Sequence, residues 1–299
     1  MTAAAEAVPV SRRRVGVRAW SFVKRHALTV YALLAIAYLM LPIAVVVLFS
    51  FNDPAGRFNY VWQGFTLDNW RRWDAPLGLR DAVIASLEIG ALATVVATAL
   101  GTLVAMAIVR HRFRGRGAAN LLVFLPMSTP EIVLGASLLT TFVASVQLPI
   151  PEGLVFPLSI RTILIAHIMF NISYVVVTVK ARLANFPRHL EEAAMDLGAN
   201  EWTTFWKVTF PLILPGVVAA ALLAFSLSID DYVITALTSG ETDTFPLFIY
   251  GAQLRGIPVQ VNVIGTIIFV AAVLLVVLTT VWQRRQAIRD FTPQRTVES

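Results

Sequence analysis

Cysteine is absent from all 299 residues, which excludes disulfide frameworks, thiolate metal sites and a cysteine nucleophile. Charge is scarce too: Asp, Glu, Lys and Arg together make up 14% of the chain, against 57% hydrophobic residues. The four histidines, His26, His111, His167 and His189, stand without metal-ligand spacing, so each reads as a polar contact and no metal site is expected. No G-x-x-x-x-G-K-[ST] sequence occurs, which excludes a P-loop that would cradle ATP phosphates. Nor is a nucleophile paired with a base, so no catalytic residues are assigned and an enzyme is not expected. With a mean hydropathy of +0.73, the chain has more apolar surface than a soluble domain of this length can bury. It belongs in lipid.

Apolar runs and basic clusters alternate. The first run, residues 28–50, follows Arg12, Arg13, Arg14, Arg18, Lys24 and Arg25, which predicts an N-terminus held in the cytoplasm. Ser11-Arg12-Arg13 and Ala35-Ile36-Ala37 mimic a twin-arginine signal and a cleavage site. The apolar run starts too far from the arginines and continues past the Ala site, which predicts an uncleaved span. Further spans are expected over residues 82–109, 121–146, 163–179, 212–237 and 263–282. Arg110, Arg112, Arg114 and Arg116 fix the second connection inside; Lys180, Arg182, Arg188 and Lys207 fix the fourth; Arg284, Arg285, Arg289 and Arg295 fix the tail. These groups hold 18 of the 24 lysines and arginines. An all-α membrane protein with six transmembrane helices and both termini cytoplasmic follows. The net charge of +6 is accounted for by this bias, and no nucleic-acid partner is needed.

Residues 51–80 form the first outer connection, in which Trp62, Trp70 and Trp73 accompany nearly balanced charge. Those indoles suit an interfacial aromatic belt. In the third span, Pro126 and Pro130 stand among Ser128, Thr129 and Glu131. Proline frees backbone carbonyls that lipid cannot satisfy, so this part should face the protein interior. Asn171, Ser173 and Tyr174 lie near the centre of the fourth span. Ionisable groups within spans usually line a pathway, and here Glu88, Glu131, Asp230 and Asp231 are all acids, which points to a cationic solute. Successive helical residues are about 100° apart, so Asp230 and Asp231 cannot face the same way. One is expected to point into the pathway while the other binds a helix end or a partner.

Between the fourth and fifth spans lies the polar stretch EEAAMDLGANEWTTFWKVTFPLILPG, residues 191–216. Leu190, Ala193, Ala194 and Leu197 have helical spacing, with Glu191 and Asp196 off that stripe. Gly198 and Asn200 provide a stop. Trp202, Phe205, Trp206 and Val208 form a second amphipathic segment, and Pro211 suits the first turn of the next span. The product is a helix-turn-helix lever on a membrane helix, or alternatively an amphipathic helix resting on the bilayer.

Glu192-Ala193-Ala194, Gly198 four residues on, and then Val208-Thr209-Phe210-Pro211 resemble the EAA loop of binding-protein-dependent ABC transporter permeases, with Val208 and Phe210 replacing an Ile and a Leu. The phrase WQGFTLDNW at 62–70, the sequence SIDDY at 228–232, Gly240 and the segment 245–250 are similar to the second permease of spermidine/putrescine importers. The resemblance implies a type I ABC importer permease fold, organised as a cytoplasmic arm (1–27), a permease domain (28–282) with a coupling loop (187–211), and a tail (283–299). It also implies that Glu192, Ala193, Ala194, Gly198 and Pro211 couple to a cytoplasmic ABC ATPase dimer. ATP and magnesium would be bound by that partner, with no cofactor on this chain. A second six-span permease, an external solute-binding protein and a location in the bacterial plasma membrane complete the implied assembly. Glu131, Asp230 and Asp231, with Asn171 and Tyr174 as lining, would then meet a polyamine's ammonium groups. Other solutes of the family (iron, an amino-acid derivative, a sugar) are alternatives. An ion-coupled secondary transporter is another, although no inverted repeat is evident. A purely structural membrane subunit is disfavoured by the kinked, polar-lined spans.

Overall fold

The structure is a computed structural model that describes residues 12–291 apart from 57, 149, 150, 152, 154, 185, 186 and 254, with side chains from 26 to 281. The N-terminal base cluster, Arg57, Glu152 and the tail arginines named above therefore lie outside the described side chains. Among the described residues every regular element is helical. In order they are α1 (Arg12–Phe49), α2 (Asp68–Arg71), α3 (Leu79–Arg110), α4 (Arg116–Ser128), α5 (Glu131–Gln147), α6 (Ile160–Ala184), α7 (His189–Asp196), α8 (Glu201–Thr204), a π-helical turn (Phe205–Thr209), α9 (Phe210–Asp230), α10 (Val233–Thr238), α11 (Phe245–Ala252) and α12 (Val259–Phe291). Among the described residues, five stretches are long and apolar enough to cross a membrane, or six if a bent pair counts as one.

That bent pair is the third expected span. Instead of one kinked helix over 121–146, α4 and α5 meet at 105°. Thr129 and Pro130 are extended, and Pro130, which has no N–H to give, precedes the first residue of α5. The fifth expected span also differs. It starts earlier, because α8, the π turn and α9 run continuously from Glu201 to Asp230, and it stops at Asp231 rather than reaching residue 237. The π turn has a local cause. Pro211 cannot donate to the preceding turn, and Phe210 N–H bonds five residues back to Phe205 O, absorbing the mismatch.

The chain divides into two compact units. One comprises the described residues up to Trp73 with Pro258–Leu274. Its connection after α1 is ordered by Asn52, which is fully buried. Asn52 Nδ2 donates to Asn59 Oδ1 at 2.6 Å and to Val61 O at 2.9 Å, and its Oδ1 accepts from Gln63 N–H at 2.8 Å. Phe51 stacks on both Phe65 and Trp70, with centroids 5.6 and 5.2 Å away. Trp70 is thus a packing residue of the loop as well as a candidate for an interfacial belt.

The other unit comprises Asp74–Ile257 and the described residues from Leu275 onward. Its core is the meeting of α3, α6 and α9, where Ala97, Ala105, Val175, Val176, Val179, Ile213, Ala220 and Ala224 are buried together. The enabling pattern is on α3: Ala93, Ala97, Gly101 and Ala105 recur every four residues on one buried face. Small residues at that spacing let helix axes approach closely in lipid, where packing and not water exclusion drives association. In the first turns of α9, Arg182, whose stem lies over Gly216, donates from its guanidinium to Leu212 O at 3.2 Å.

Along this stripe the close approach is at Gly101, where an added Cβ would stand 2.6 Å from Val175 Cγ1. Gly101→Val should therefore destabilise the protein by about 1–3 kcal/mol through overpacking. The check is the thermal unfolding midpoint in detergent, which should fall clearly below that of the unsubstituted protein.

Candidate functional site

The E-A-A stretch folds as a helix, a turn and a second helix. Glu191 and Glu192 lie in the first turn of α7, where carboxylates complement the exposed N–H groups and the helix dipole. The helix ends at Gly198, whose φ of +87° is the left-handed conformation that a side chain disfavours. Gly198 N–H bonds to Met195 O at 2.9 Å and Ala199 N–H to Ala194 O at 3.1 Å, the paired bonds of a Schellman ending. Asn200 then caps α8, its Oδ1 accepting from Thr203 N–H at 2.8 Å. Pro211 lies in the first turn of α9.

The two neighbouring acids of α7 have different surroundings. Glu192 is turned outward, 59% exposed, with Arg188 one turn before it at 3.5 Å. Glu191 is turned inward and 14% exposed; its Oε1 accepts from Thr209 Oγ1 at 2.8 Å and stands 3.1 Å from an Arg110 guanidinium nitrogen. Leu190, Ala193 and Leu197 are exposed, Leu197 to 90%, while Ala194 is half-buried. The apolar stripe seen in the sequence is therefore an outward face, and the inward face is carried by Glu191 and Ala194. Trp202 and Trp206 are also exposed, in a ring cluster with Phe205 and Phe210 whose centroids lie 5.0–6.5 Å apart.

The intramembrane polar residues fall into two groups around α6, on which His167, Asn171 and Tyr174 recur at i, i+4, i+7. At one level is the break between α9 and α10. Asp231 Oδ2 accepts from Thr235 N–H at 2.8 Å and from Thr235 Oγ1 at 2.7 Å, supplying the cap that α10 needs. His167 Nε2 lies 2.9 Å from Thr235 Oγ1 and 3.3 Å from Asp231 Oδ2, and its Nδ1 lies 2.6 Å from Ser228 Oγ. A neutral ring protonated on Nε2 satisfies the hydroxyl contacts in one direction. Ser228 donates to Nδ1, Nε2 donates to Thr235, and Thr235 donates to Asp231. Asp230, by contrast, is exposed. Of the neighbouring acids, Asp231 binds a helix end and Asp230 does not share its surroundings.

At the other level is the break between α4 and α5. Glu131 is exposed in the first turn of α5, and Tyr174 packs on Phe170 with centroids 5.0 Å apart. Asn171 lies between the levels, 1% exposed, and its amide makes no hydrogen bond to any described residue. Glu88 is exposed on α3, apart from both groups. No cluster of His, Asp and Glu suited to a metal occurs among the described residues. Sequence reasoning did not single out Glu191, Arg110, Thr209, His167, Ser228 or Thr235. An acid off an apolar stripe beside the E-A-A spacing, with a base closing another span, was the available signal for the first two.

Because Asp231 satisfies two donors at the start of α10, Asp231→Ala should destabilise the protein by about 2–4 kcal/mol. Asp230→Asn, at an exposed position, should change stability by no more than about 0.5 kcal/mol. Thermal unfolding of the two purified variants side by side measures the contrast.

With this geometry established, comparison with known proteins is informative. Residues 97–289 match the family described as binding-protein-dependent transport system inner membrane component. The chain is 37% identical over 250 residues to the spermidine/putrescine transport system permease protein PotC of Haemophilus influenzae, covering 83% of this chain and 93% of that one. It is 35% identical over 248 residues to the putrescine transport system permease protein PotI of Escherichia coli, covering 80% and 84%. Among solved structures, a bacterial ABC transporter involved in import of the acidic polysaccharide alginate contains a chain that superimposes with a TM-score of 0.66 at 20% identity, over 90% of this chain and 99% of that one. An amino acid ABC transporter gives a TM-score of 0.53 at 17% identity over 75% of this chain. These structural likenesses establish the fold. The chain belongs to the family of inner membrane components of binding-protein-dependent transport systems.

Proposed function

We propose that this protein is one permease subunit of an ATP-driven importer and forms half of the passage for a polyamine such as spermidine or putrescine. The observation that carries this is the similarity to PotC and PotI over four-fifths of the chain. It is a multi-pass protein of the plasma membrane. Six spans, with the bent pair α4 and α5 as one of them and both termini in the cytoplasm, agree with the distribution of bases and would put α7 on the cytoplasmic side.

In this scheme α7 is the element that meets the ATPase. Its outward face carries Glu192 and the apolar Leu190, Ala193 and Leu197, a small convex surface suited to a cleft on a partner. Ala193 permits close approach, Glu192 offers a carboxylate to a base, and Gly198 fixes the turn into α8. ATP and magnesium would be held by a pair of ATPase subunits. A second six-span permease completes the passage, and an external binding protein delivers the solute. ATP binding closes the ATPase pair, α7 and its counterpart are displaced, and the membrane helices open alternately to the two sides. Glu131 and Asp230, the two exposed acids near the helix breaks, would attract ammonium groups in the passage, with Tyr174 offering a ring face. Asn171, buried with its amide unbonded among the described residues, would become available to solute or water when the helices move. Asp231 would act indirectly, by fixing the end of α9.

Purified by itself in detergent, this chain should show no ATP hydrolysis. Ala193→Arg should abolish co-purification of the ATPase and lower uptake at least about tenfold, as loss of an interface centre does; retained assembly would place the ATPase contact elsewhere. For the solute, Asp230→Asn in proteoliposomes containing the full transporter should weaken polyamine uptake about fivefold or more, in line with loss of one charge contact in a partly desolvated passage. Unchanged uptake in both Asp230→Asn and Glu131→Gln would remove the acids from the passage.

A further inference from the structure

We propose that Glu191 is the joint through which displacement of α7 reaches the membrane helices, with Arg110 and Thr209 as its two receiving groups. This rests on the proposal that α7 meets the ATPase, and it assigns a task to the acid on the inward face of the helix. One oxygen, Glu191 Oε1, holds both Thr209 Oγ1 at 2.8 Å and the Arg110 guanidinium at 3.1 Å. These partners sit at the two places where a push on α7 must arrive: the last residue of α3 and the turn from which α9 starts.

Packing of α7 runs to α8 and the π turn, and toward α3 it leaves a gap. A cavity of about 910 Å³ opens where α3, α7 and α8 meet, lined by Leu103, Met106, Met195, Trp202 and Phe205 together with Arg110 and Glu191. Force is carried by groups in contact, and across such a gap the charged pair is the stiff element. Burial strengthens it: at 13% and 14% exposure, the two side chains interact in a medium less polarisable than bulk water.

Thr209 matters for a second reason. It belongs to the π turn, where the ladder of hydrogen bonds is offset and the helix from Glu201 to Asp230 is least able to transmit motion along its axis. Tying Thr209 directly to α7 bypasses that turn. Adjacent residues on a helix point about 100° apart. Glu192 can therefore serve an outside partner while Glu191 serves the membrane helices, without either acid being shared. Glu191 is thus a positioning residue that touches neither solute nor nucleotide.

The experiment uses the whole transporter in proteoliposomes, measuring ATP hydrolysed and polyamine accumulated in the same vesicles. The variants are Glu191→Gln, Arg110→Gln and the exchanged pair Glu191→Arg with Arg110→Glu. Expected are normal ATPase co-purification, since the outward face of α7 is untouched, and about a tenfold fall in uptake per ATP for each single variant, within the usual range of coupling between sites. The exchanged pair should recover at least about half of the coupling, a result that mere loss of folding would not give. If the unsubstituted transporter is tightly coupled and both single variants keep its uptake-to-ATP ratio, the joint is refuted while the transport function stands. If the ATPase no longer co-purifies with Glu191→Gln, the acid belongs to the docking face and the joint is likewise refuted. If the unsubstituted complex itself shows no ATP-dependent uptake, the proposed function fails, and the joint with it.

Discussion

Backbone groups within a bilayer have no water to fall back on, so every interruption of a membrane helix must be repaired by the protein itself. This constraint organises the compact unit built on α3, α6 and α9. Where α9 stops, Asp231 accepts from the first turn of α10, and Thr235, His167 and Ser228 extend the repair to α6. At Pro130 the problem is avoided, because a proline at the entrance to a helix occupies a position whose N–H would have no partner. The helix interruptions and the polar residues of α6 are consequently parts of one arrangement. That arrangement leaves Asp230, Glu131 and Asn171 without a comparable structural task.

The same economy appears at α7. A helix of eight residues cannot be stable through its own hydrogen bonds, and its position is set by what closes its ends and holds its inward side. The Schellman ending at Gly198 and the cap at Asn200 fix its direction. Glu191 fixes its inward side through polar contacts, leaving an outward surface of modest apolar residues exposed among the described residues. A surface held from behind by an ion pair, with a cavity beside it, is suited to being pushed without being buried.

Several of these features were legible in residue order. The turn at Gly198 followed from the need for a left-handed residue after a helix, and Pro211 at the start of α9 from its missing N–H. Different roles for Asp230 and Asp231 were expected from helical geometry, but they differ because α9 ends at Asp230 and Asp231 is already extended. What Asp231 then binds depended on His167 and Thr235, which lie 64 and 4 residues from Asp231 in sequence and meet only through packing of α6 against α10. The third span read as a single kinked helix because hydropathy is insensitive to direction; the 105° bend at Thr129 and Pro130 is a property of backbone angles. The buried stripe Ala93, Ala97, Gly101 and Ala105 was hidden for a related reason: in an apolar helix, small residues are not distinguished from lipid-facing ones by hydrophobicity.

The sequence by itself determined that this protein lives in a membrane, that its bases cluster between apolar runs, and that its polar E-A-A stretch has a helix-turn-helix form. Those outcomes depend on composition, on charge relative to apolar runs, and on local backbone preferences. Only the tertiary structure decided which of two adjacent acids points inward, at Glu191 and Glu192 and again at Asp230 and Asp231. Facing is set by which distant donor a carboxylate can reach, and Arg110, Thr209 and Thr235 acquire that role through the packing of helices.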